Sequence, residues 1–556
     1  MNGDDLSTYR FYEQEWDSYD ELRGAFEWHV PDRFNMADYT CDRWADERGR
    51  VAVFEQQHGD RDTYTFWQLR DATNSLANHL REVGVERGDR VGVNTPQRVE
   101  TVIAHIACWK LGAVSVPLST LFGPDALSYR LSDADAVAAV VDESNIDRFR
   151  EARSEVDGAL PTLTVGDVDR RGDEAEFWTA IDAASRSFDV VDTDAEEDAI
   201  IIYTSGTTGD PKGVRHAHRM LLGHLPLFVT TFCNMSMTDS DVFWTPAEWA
   251  WVASLFDVLF PALYYGRPVV AHDAGPFDAE TAFSVVEEYG VSNFFAPPTG
   301  LRMMMEADAS SYDVGAMRCI ASGGESLGQR IVEWAESVFD GAAVHEGYGQ
   351  TEANVTVGDC TAMFPFREGT MGRAGVGHEV AIVDPETAEA TVPTGEIGEI
   401  AVRYDGDPVC FKSYLNKPEK TAQKVRNGWL LTEDLGRMDE DGYIAFESRK
   451  DDVIISAGYR IGPTEIEESL ANHETVADSA VIGVPDDERG EVPKAYVVLA
   501  ADRAPSDDLR AALKDHVRDR LAQYEYPREI EFLEELPKTT TGKIRRASLR
   551  DREGLE

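Results

Sequence analysis

The stretch Tyr203-Thr204-Ser205-Gly206-Thr207-Thr208-Gly209-Asp210-Pro211-Lys212-Gly213-Val214 decides the fold. It follows the apolar run 199–202 and reads as a loop leaving a buried strand. Its glycines let backbone N–H groups turn toward an anion at close range. The hydroxyls of Thr204, Ser205, Thr207 and Thr208 add donors, and Lys212 supplies a point charge. Such a loop suits a polyphosphate. A plain solvent turn needs neither an apolar strand behind it nor this density of hydroxyls. A Walker A loop is excluded, because no Gly-Lys pair is followed by Ser or Thr. Beyond the loop, a helical segment is expected from His216.

Composition narrows what such a loop can serve. The 556 residues allow several domain-sized units. With 53 basic and 102 acidic side chains the formal net charge is −49, a field that repels nucleic acid and anionic membrane. Only 11 lysines stand against 42 arginines, and Lys110 and Lys212 are the only lysines before Cys410. A rare residue type therefore sits inside the phosphate-type loop. In molar salt the Debye length falls to about 3 Å and the self-repulsion is screened, which points to a salt-rich cytoplasm of halophilic type. The six cysteines (Cys41, Cys108, Cys233, Cys319, Cys360, Cys410) form no C-x-x-C pair and read as buried thiols. The start Met1-Asn2-Gly3-Asp4-Asp5 has neither a basic nor an apolar leader region, and the most apolar window, 249–265, is broken by Asp257 and Pro261. A cytoplasmic protein without a membrane span is expected.

Working outward, residues 1–60 lack a clean period and read as a surface-wrapping lead-in. From Thr65 helices (67–83, 99–111) alternate with strands (89–94, 114–116, 136–141), the signature of right-handed crossovers and a mostly parallel sheet. An acidic, loop-rich connection over 150–195 leads to the opening loop. The α/β pattern resumes after His218, with strands near 268–271, 293–296 and 318–321. Short strands with turn signals over 370–445 read as a small β subdomain. From Thr464 a compact α+β unit follows: helix 464–471, strands 479–483 and 494–499, helix 507–521 and strand 529–532.

Three further motifs follow the loop in order. Ser322-Gly323-Gly324-Glu325 closes an apolar strand, at the carboxyl end where ligands of open α/β sheets collect. Then comes Glu346-Gly347-Tyr348-Gly349-Gln350-Thr351-Glu352: a tyrosine between glycines suited to stacking on a purine, a threonine for a phosphate oxygen, and a carboxylate as a hard magnesium ligand. Near the C-terminus Leu536-Pro537-Lys538-Thr539-Thr540-Thr541-Gly542-Lys543 places another rare lysine after a glycine.

Together with Trp429-Leu430-Leu431-Thr432-Glu433-Asp434-Leu435-Gly436 and the stretch Ser448–Pro463, these motifs closely resemble the adenylate-forming superfamily of acyl-CoA synthetases, adenylation domains and luciferases. The match is nearest to the medium-chain acyl-CoA synthetases. The resemblance spans roughly residues 50–550. It implies a large N-terminal domain (1–449) of parallel-sheet α/β subdomains plus a small β subdomain, binding ATP and acyl group. A mobile α+β lid (450–556) would carry the catalytic lysine. It implies two steps: a carboxylate attacks the α-phosphorus of MgATP to give acyl-AMP and pyrophosphate, then the thiol of CoA displaces AMP. By motif, Lys543 bridges substrate carboxylate and α-phosphate, and Lys212 with Thr204, Ser205, Gly206, Thr207, Thr208 and Gly209 holds the β- and γ-phosphates. Glu352 and Thr204 hold magnesium, and Thr351 meets the α-phosphate. Tyr348 and Gly323, Gly324 and Glu325 sandwich adenine, with Glu346, Gly347 and Gln350 beside them. Asp434 and Arg449 take the ribose, and Arg460 lies at the nucleotide. The hinge matches Asp451, and Ala457, Gly458, Tyr459 and Arg489 match the CoA site.

The acid is a separate question. Acetate-activating relatives carry a bulky Trp where this chain has Gly349, so a short- to medium-chain acid longer than acetate is expected. The aromatic window 244–251 is unlike that of typical medium-chain enzymes, and Trp249, Trp251 or Phe256 can wall the pocket and shorten or flatten the preferred acid. Rival readings are a stand-alone enzyme loading a carrier protein, an acetate or aromatic-acid CoA ligase, a luciferase-like oxygenase, and a non-enzymatic nucleotide-binding protein. The last is disfavoured because every charged motif position is intact. No nucleic-acid or membrane partner is expected.

Overall fold

The computed structural model describes residues 6–57, 59–204, 211–273, 275, 277–389, 391–450, 452–456, 459–486, 489–501, 503–518, 520–521, 526–538 and 543–555, with the backbone alone at 455, 459, 460 and 465. The loop positions Ser205, Gly206, Thr207, Thr208 and Gly209, the hinge Asp451, Ala457 and Gly458, and the side chains of Tyr459 and Arg460 lie outside this description.

Two large sheets carry the N-terminal part. In the first, Thr162–Val165, Ala136–Asp142, Arg90–Asn94, Val114–Pro117 and Asp198–Thr204 run parallel in that spatial order. Lys212–Ala217 and then Ser413–Tyr414 add antiparallel strands at the edge. In the second, Val51–Gln57, Val269–His272, Phe243–Trp244, Asn293–Phe295, Cys319–Gly323 and Ala343–Gln350 are parallel neighbours, and Ala353–Gly358 turns back on the last of them. Helices cross between strands as expected for apolar runs buried on both faces. The helix Val99–Leu111 is buried at all of its positions and ends at Gly112, whose φ of 73° is the left-handed cap that glycine adopts without strain. An antiparallel sheet of Val380–Val383, Gly398–Arg403, Trp429–Met438 and Ile444–Arg449 forms the small β unit. The smaller C-terminal domain pairs Val476–Asp486 with Gly490–Leu499 and packs the helices Pro463–Ala471 and Asp507–Arg518 against them.

Three expectations need correction. His216 lies not in a helix but in Lys212–Ala217, because the loop turns the chain back to pair with the strand it left; the helix starts at Met220. The connection 150–195 is not merely loop, since Thr162–Val165 and Glu174–Glu176 extend the sheet and the helix Phe177–Ala183 covers it. The C-terminal hairpin runs further at both ends than its apolar stretch, since its backbone ladder continues through polar residues. The lead-in proves to be a strap: the Tyr19 hydroxyl donates to the Ala374 carbonyl, Trp28 Nε1 to Gly377 and Asn35 Nδ2 to Trp109. All six cysteines are buried, and no described helix is long and apolar enough to cross a membrane.

Lys110, one of the two rare early lysines, is structural. Its ammonium is buried on the central helix and donates to Asp42 Oδ1 at 2.6 Å and Asn74 Oδ1 at 2.7 Å. Replacing one member of such a set strands the others. Lys110→Met is expected to lower unfolding free energy by about 3 kcal/mol, read from denaturant midpoints. A change below about 0.5 kcal/mol contradicts this role.

Candidate nucleotide and acyl site

The opening motif is a hairpin whose two ends face each other. Thr204, last residue of its strand, pairs in register with Lys212, first residue of the return strand. Both are half-buried. The Lys212 ammonium points to Tyr414, 3.5 Å from its hydroxyl and 4.7 Å from its ring centre. Burial holds this ammonium below its ordinary range, against the opposing pull of Glu352 and Glu433, and the nearby charges of Lys424 and Lys420 lower it further.

The turn after Ala343–Gln350 is held from outside. His216 Nε2 donates to the Thr351 carbonyl at 2.7 Å, the Phe411 amide to the Glu352 carbonyl at 2.8 Å, and Tyr414 to Glu352 Oε1 at 2.5 Å. Burial keeps His216 down at about 4, so its ring is neutral and a fixed donor. Gln350 Nε2 donates to the Thr432 carbonyl. Glycine is demanded here by close approach: a Cβ on Gly323 would stand 2.5 Å from the Gly347 carbonyl, and one on Gly349 would overlap the Val355 backbone. Val355 has φ 41°, an uncommon conformation for a β-branched residue.

Opposite this turn, Asp434 accepts from the Tyr348 hydroxyl at 2.6 Å and from Arg449 Nη1 at 3.0 Å. Desolvation raises its carboxyl while Arg449 and Tyr348 pull it back. The preceding residue, Glu433, has φ 67°, and its amide donates to Glu399, which also pairs with Lys450. The backbone that presents Asp434 is thus held in a sparsely populated conformation by its surroundings.

The C-terminal domain reaches into this cleft. Gly324, at φ 93°, passes so close to Lys543 that a Cβ there would lie 3.2 Å from its Cε. Residue 543 as a whole is solvent-accessible, yet the dense protein around its ammonium lowers it from the ordinary lysine range against the pull of Asp434 and Glu325. Ser326 donates to Glu468 Oε1 at 2.7 Å, a second contact between the domains. Glu325 is engaged by Arg302 and Thr299. Glu346 turns its carboxyl to the Leu327 amide at 3.1 Å, its own amide donates to Asp359, and burial pushes its carboxyl up to about 8.

The structure therefore gathers Thr204, Lys212, Gly323, Gly324, Glu325, Glu346, Gly347, Tyr348, Gly349, Gln350, Thr351, Glu352, Asp434, Arg449 and Lys543 around one cleft. Arg489 stands apart, exposed on a C-terminal turn where its amide donates to Asp486. Trp251 is half-buried and meets Phe122 edge-on at 6.2 Å. Glu248, three residues earlier, ties that wall to the loop at 119–120 by accepting from the Ser119 hydroxyl and the Thr120 amide, each at 2.6 Å. Sequence reading missed His216, Tyr414 and Glu248. The run of lysines at 412, 417, 420 and 424, in a chain so poor in them, was a signal for the region around Tyr414.

The family model "AMP-binding enzyme" matches residues 41–415, and "AMP-binding enzyme C-terminal domain" matches 465–543. The chain is 36% identical to the uncharacterized acyl-CoA ligase YtcI of Bacillus subtilis, over 94% of this chain and 97% of that protein. It is 33% identical to the mitochondrial acyl-coenzyme A synthetase ACSM3 of Mus musculus, over 97% and 94%. Among solved structures, the anthranilate CoA ligase AuaEII in complex with anthranoyl-AMP superposes with a TM-score of 0.87 at 28% identity, covering 94% of this chain and 98% of the other.

Glu346 makes stability depend on pH. Folded, its carboxyl keeps its proton to about 8; unfolded, it releases it near 4.5. The contribution favouring the folded state is thus full below 4.5 and is lost as pH rises toward 8. Glu346→Gln keeps an acceptor for the Leu327 amide and cannot ionise. Its melting temperature is expected to gain on the wild type by several degrees between pH 5 and pH 8.5; parallel curves contradict the assignment.

Proposed function

Because the chain belongs to the AMP-binding enzyme family, we infer that this cleft activates a carboxylic acid longer than acetate and passes it to CoA. The protein is an AMP-forming acid–CoA ligase using ATP, magnesium and CoA: it forms an acyl-adenylate with release of pyrophosphate, then a thioester with release of AMP. What carries the assignment of roles is the position of Lys543, a cation of the C-terminal domain lying against Gly324 within electrostatic reach of Asp434.

In the first step two anions meet, so catalysis is charge neutralisation and positioning, without a nucleophilic side chain. Asp434 and Arg449 fit a ribose: the carboxylate offers acceptor oxygens to hydroxyls and is fixed by Tyr348. Tyr348, so fixed, offers one face to adenine, with the side-chain-free backbone of Gly323 and Gly324 opposite and Lys543 lying against Gly324. Lys212 and the loop after Thr204 receive the β- and γ-phosphates, and Thr351 the α-phosphate. The donor set suits magnesium, since Glu352 is a buried carboxylate with one oxygen occupied by Tyr414, and Thr204 is a hydroxyl beside the phosphate lysine. When bound, that ion withdraws charge from the phosphate oxygens. Lys543 then bridges the substrate carboxylate and the α-phosphate.

The second step needs Lys543 withdrawn. We place the division between the domains at 449/450 and the pivot at Asp451, with Ala457, Gly458, Tyr459 and Arg489 serving CoA after the swing. The exposed setting of Arg489 suits a group that meets its ligand only then. For the acid, the expectation drawn from Gly349 needs correction, since the Val355 backbone fills the side a Cβ would take and no pocket space is gained there; what remains is Trp251 with Phe122 as an aromatic wall. The family relatives support a short- to medium-chain acid, with an aromatic acid as second reading because the wall is aromatic. The acidic composition supports work in a salt-rich cytoplasm.

Lys543→Ala is expected to lower acid-dependent pyrophosphate release by about 100-fold or more with nucleotide binding largely kept. Unchanged release removes the catalytic assignment. A panel of C2 to C12 and aromatic acids, assayed in molar salt, is expected to peak above C2. A peak at acetate contradicts the pocket reading.

A further inference from the structure

Tyr414 lies outside every motif singled out from the sequence, yet two of the cleft's charged groups converge on it. It is buried, on an edge strand whose pairing sets it opposite Val214, two residues beyond Lys212. Its amide donates to the Thr421 hydroxyl at 3.0 Å, fixing the backbone, and Phe411 packs edge-on against its ring at 5.0 Å. The phenol donates to Glu352 Oε1 at 2.5 Å and receives Lys212 Nζ at 3.5 Å, with the ammonium over the ring.

Packing alone accounts for the ring but not for the hydroxyl, which a phenylalanine lacks. Its two polar links have a clear effect. Carboxylate and ammonium otherwise close on each other as an ion pair, spending on one another the valences that the substrate needs. With the phenol between them, one carboxylate oxygen is occupied, and among the described residues the other, Oε2, has no hydrogen-bond partner. The ammonium, with three donors, gives at most one to Tyr414.

We propose that Tyr414 is a positioning residue of adenylate formation, a phenol spacer that keeps the Glu352 carboxylate and the Lys212 ammonium apart and aimed into the cleft. This rests on the reading of Glu352 as magnesium ligand and Lys212 as phosphate ligand.

The test compares full-length wild type, Tyr414→Phe, Glu352→Gln and the double variant. Calorimetry follows a non-hydrolysable ATP analogue with and without magnesium chloride, alongside pyrophosphate release and melting temperature. For Tyr414→Phe the expected result is a roughly tenfold smaller magnesium-dependent gain in affinity, with magnesium-free binding within about twofold. Its kcat for pyrophosphate release should fall about 10- to 100-fold, with the melting temperature within about 3 °C of wild type. The double variant should be little worse than Glu352→Gln, since both changes disable one unit. An unchanged magnesium gain, strictly additive effects, or a large loss of melting temperature with unchanged magnesium dependence each overturns the proposal. If wild type itself shows no magnesium-dependent nucleotide binding, the reading beneath falls with it; if wild type binds and Tyr414→Phe matches it, only the spacer falls.

Discussion

Repulsion between two reacting anions is the constraint to which the cleft answers. A carboxylate must reach a phosphorus shielded by negative oxygens, inside a chain whose own charge is −49. Over most of the surface that charge opposes any anionic ligand. The protein therefore concentrates cations at the few points where charge must be offset: Lys212 with Lys420 and Lys424 nearby at one end, Arg449 beside Asp434, and Lys543 from the other domain. Lysine, a compact point charge, also serves in ion pairs elsewhere, as Lys412 does with Asp198 and Lys494 with Glu531 and Glu553.

Cations held this close together destabilise one another unless the scaffold fixes them, and the scaffold is built from neutral donors and close backbone packing. His216, neutral through burial, holds the Thr351 carbonyl; Tyr348 steadies Asp434; Tyr414 stands between Glu352 and Lys212. The unusual backbone at Val355 and Glu433 lies directly beside these groups, where the surrounding sheets supply the energy to hold it. Lys543 comes from the C-terminal part of the chain and lies against Gly324, so the swing proposed above would withdraw its charge for the second step.

Much of this was legible in the residues. Alternating apolar strands and helices gave the parallel sheets, and the helix 99–111 matched the structure at both ends because its apolar run is complete and Gly112 stops it. The glycine-rich motifs marked strand ends, where ligands gather. Less legible was whatever depends on long-range pairing. The strand at His216 is not legible in the sequence because a hairpin return strand six residues long carries no period strong enough to announce itself. The strand 174–176 is hidden in an acidic region because it is the sheet edge, which needs little apolar surface, and 162–165, though buried at all four positions, is too short to show a period. Tyr414 was invisible because its partners lie 62 and 202 residues away in sequence. Gly349 reads in sequence as an open pocket; the structure adds that the Val355 backbone itself demands a glycine there.

The most direct measurement is a crystal structure of the protein with magnesium, a non-hydrolysable ATP analogue and a bound acid. The account predicts adenine against Tyr348, ribose hydroxyls on Asp434, terminal phosphates at Lys212, and the Lys543 ammonium between the α-phosphate and the acid. A nucleotide lodged away from both Tyr348 and Lys212, or one bound there with Lys543 remote from its α-phosphate in the adenylate-forming complex, contradicts it.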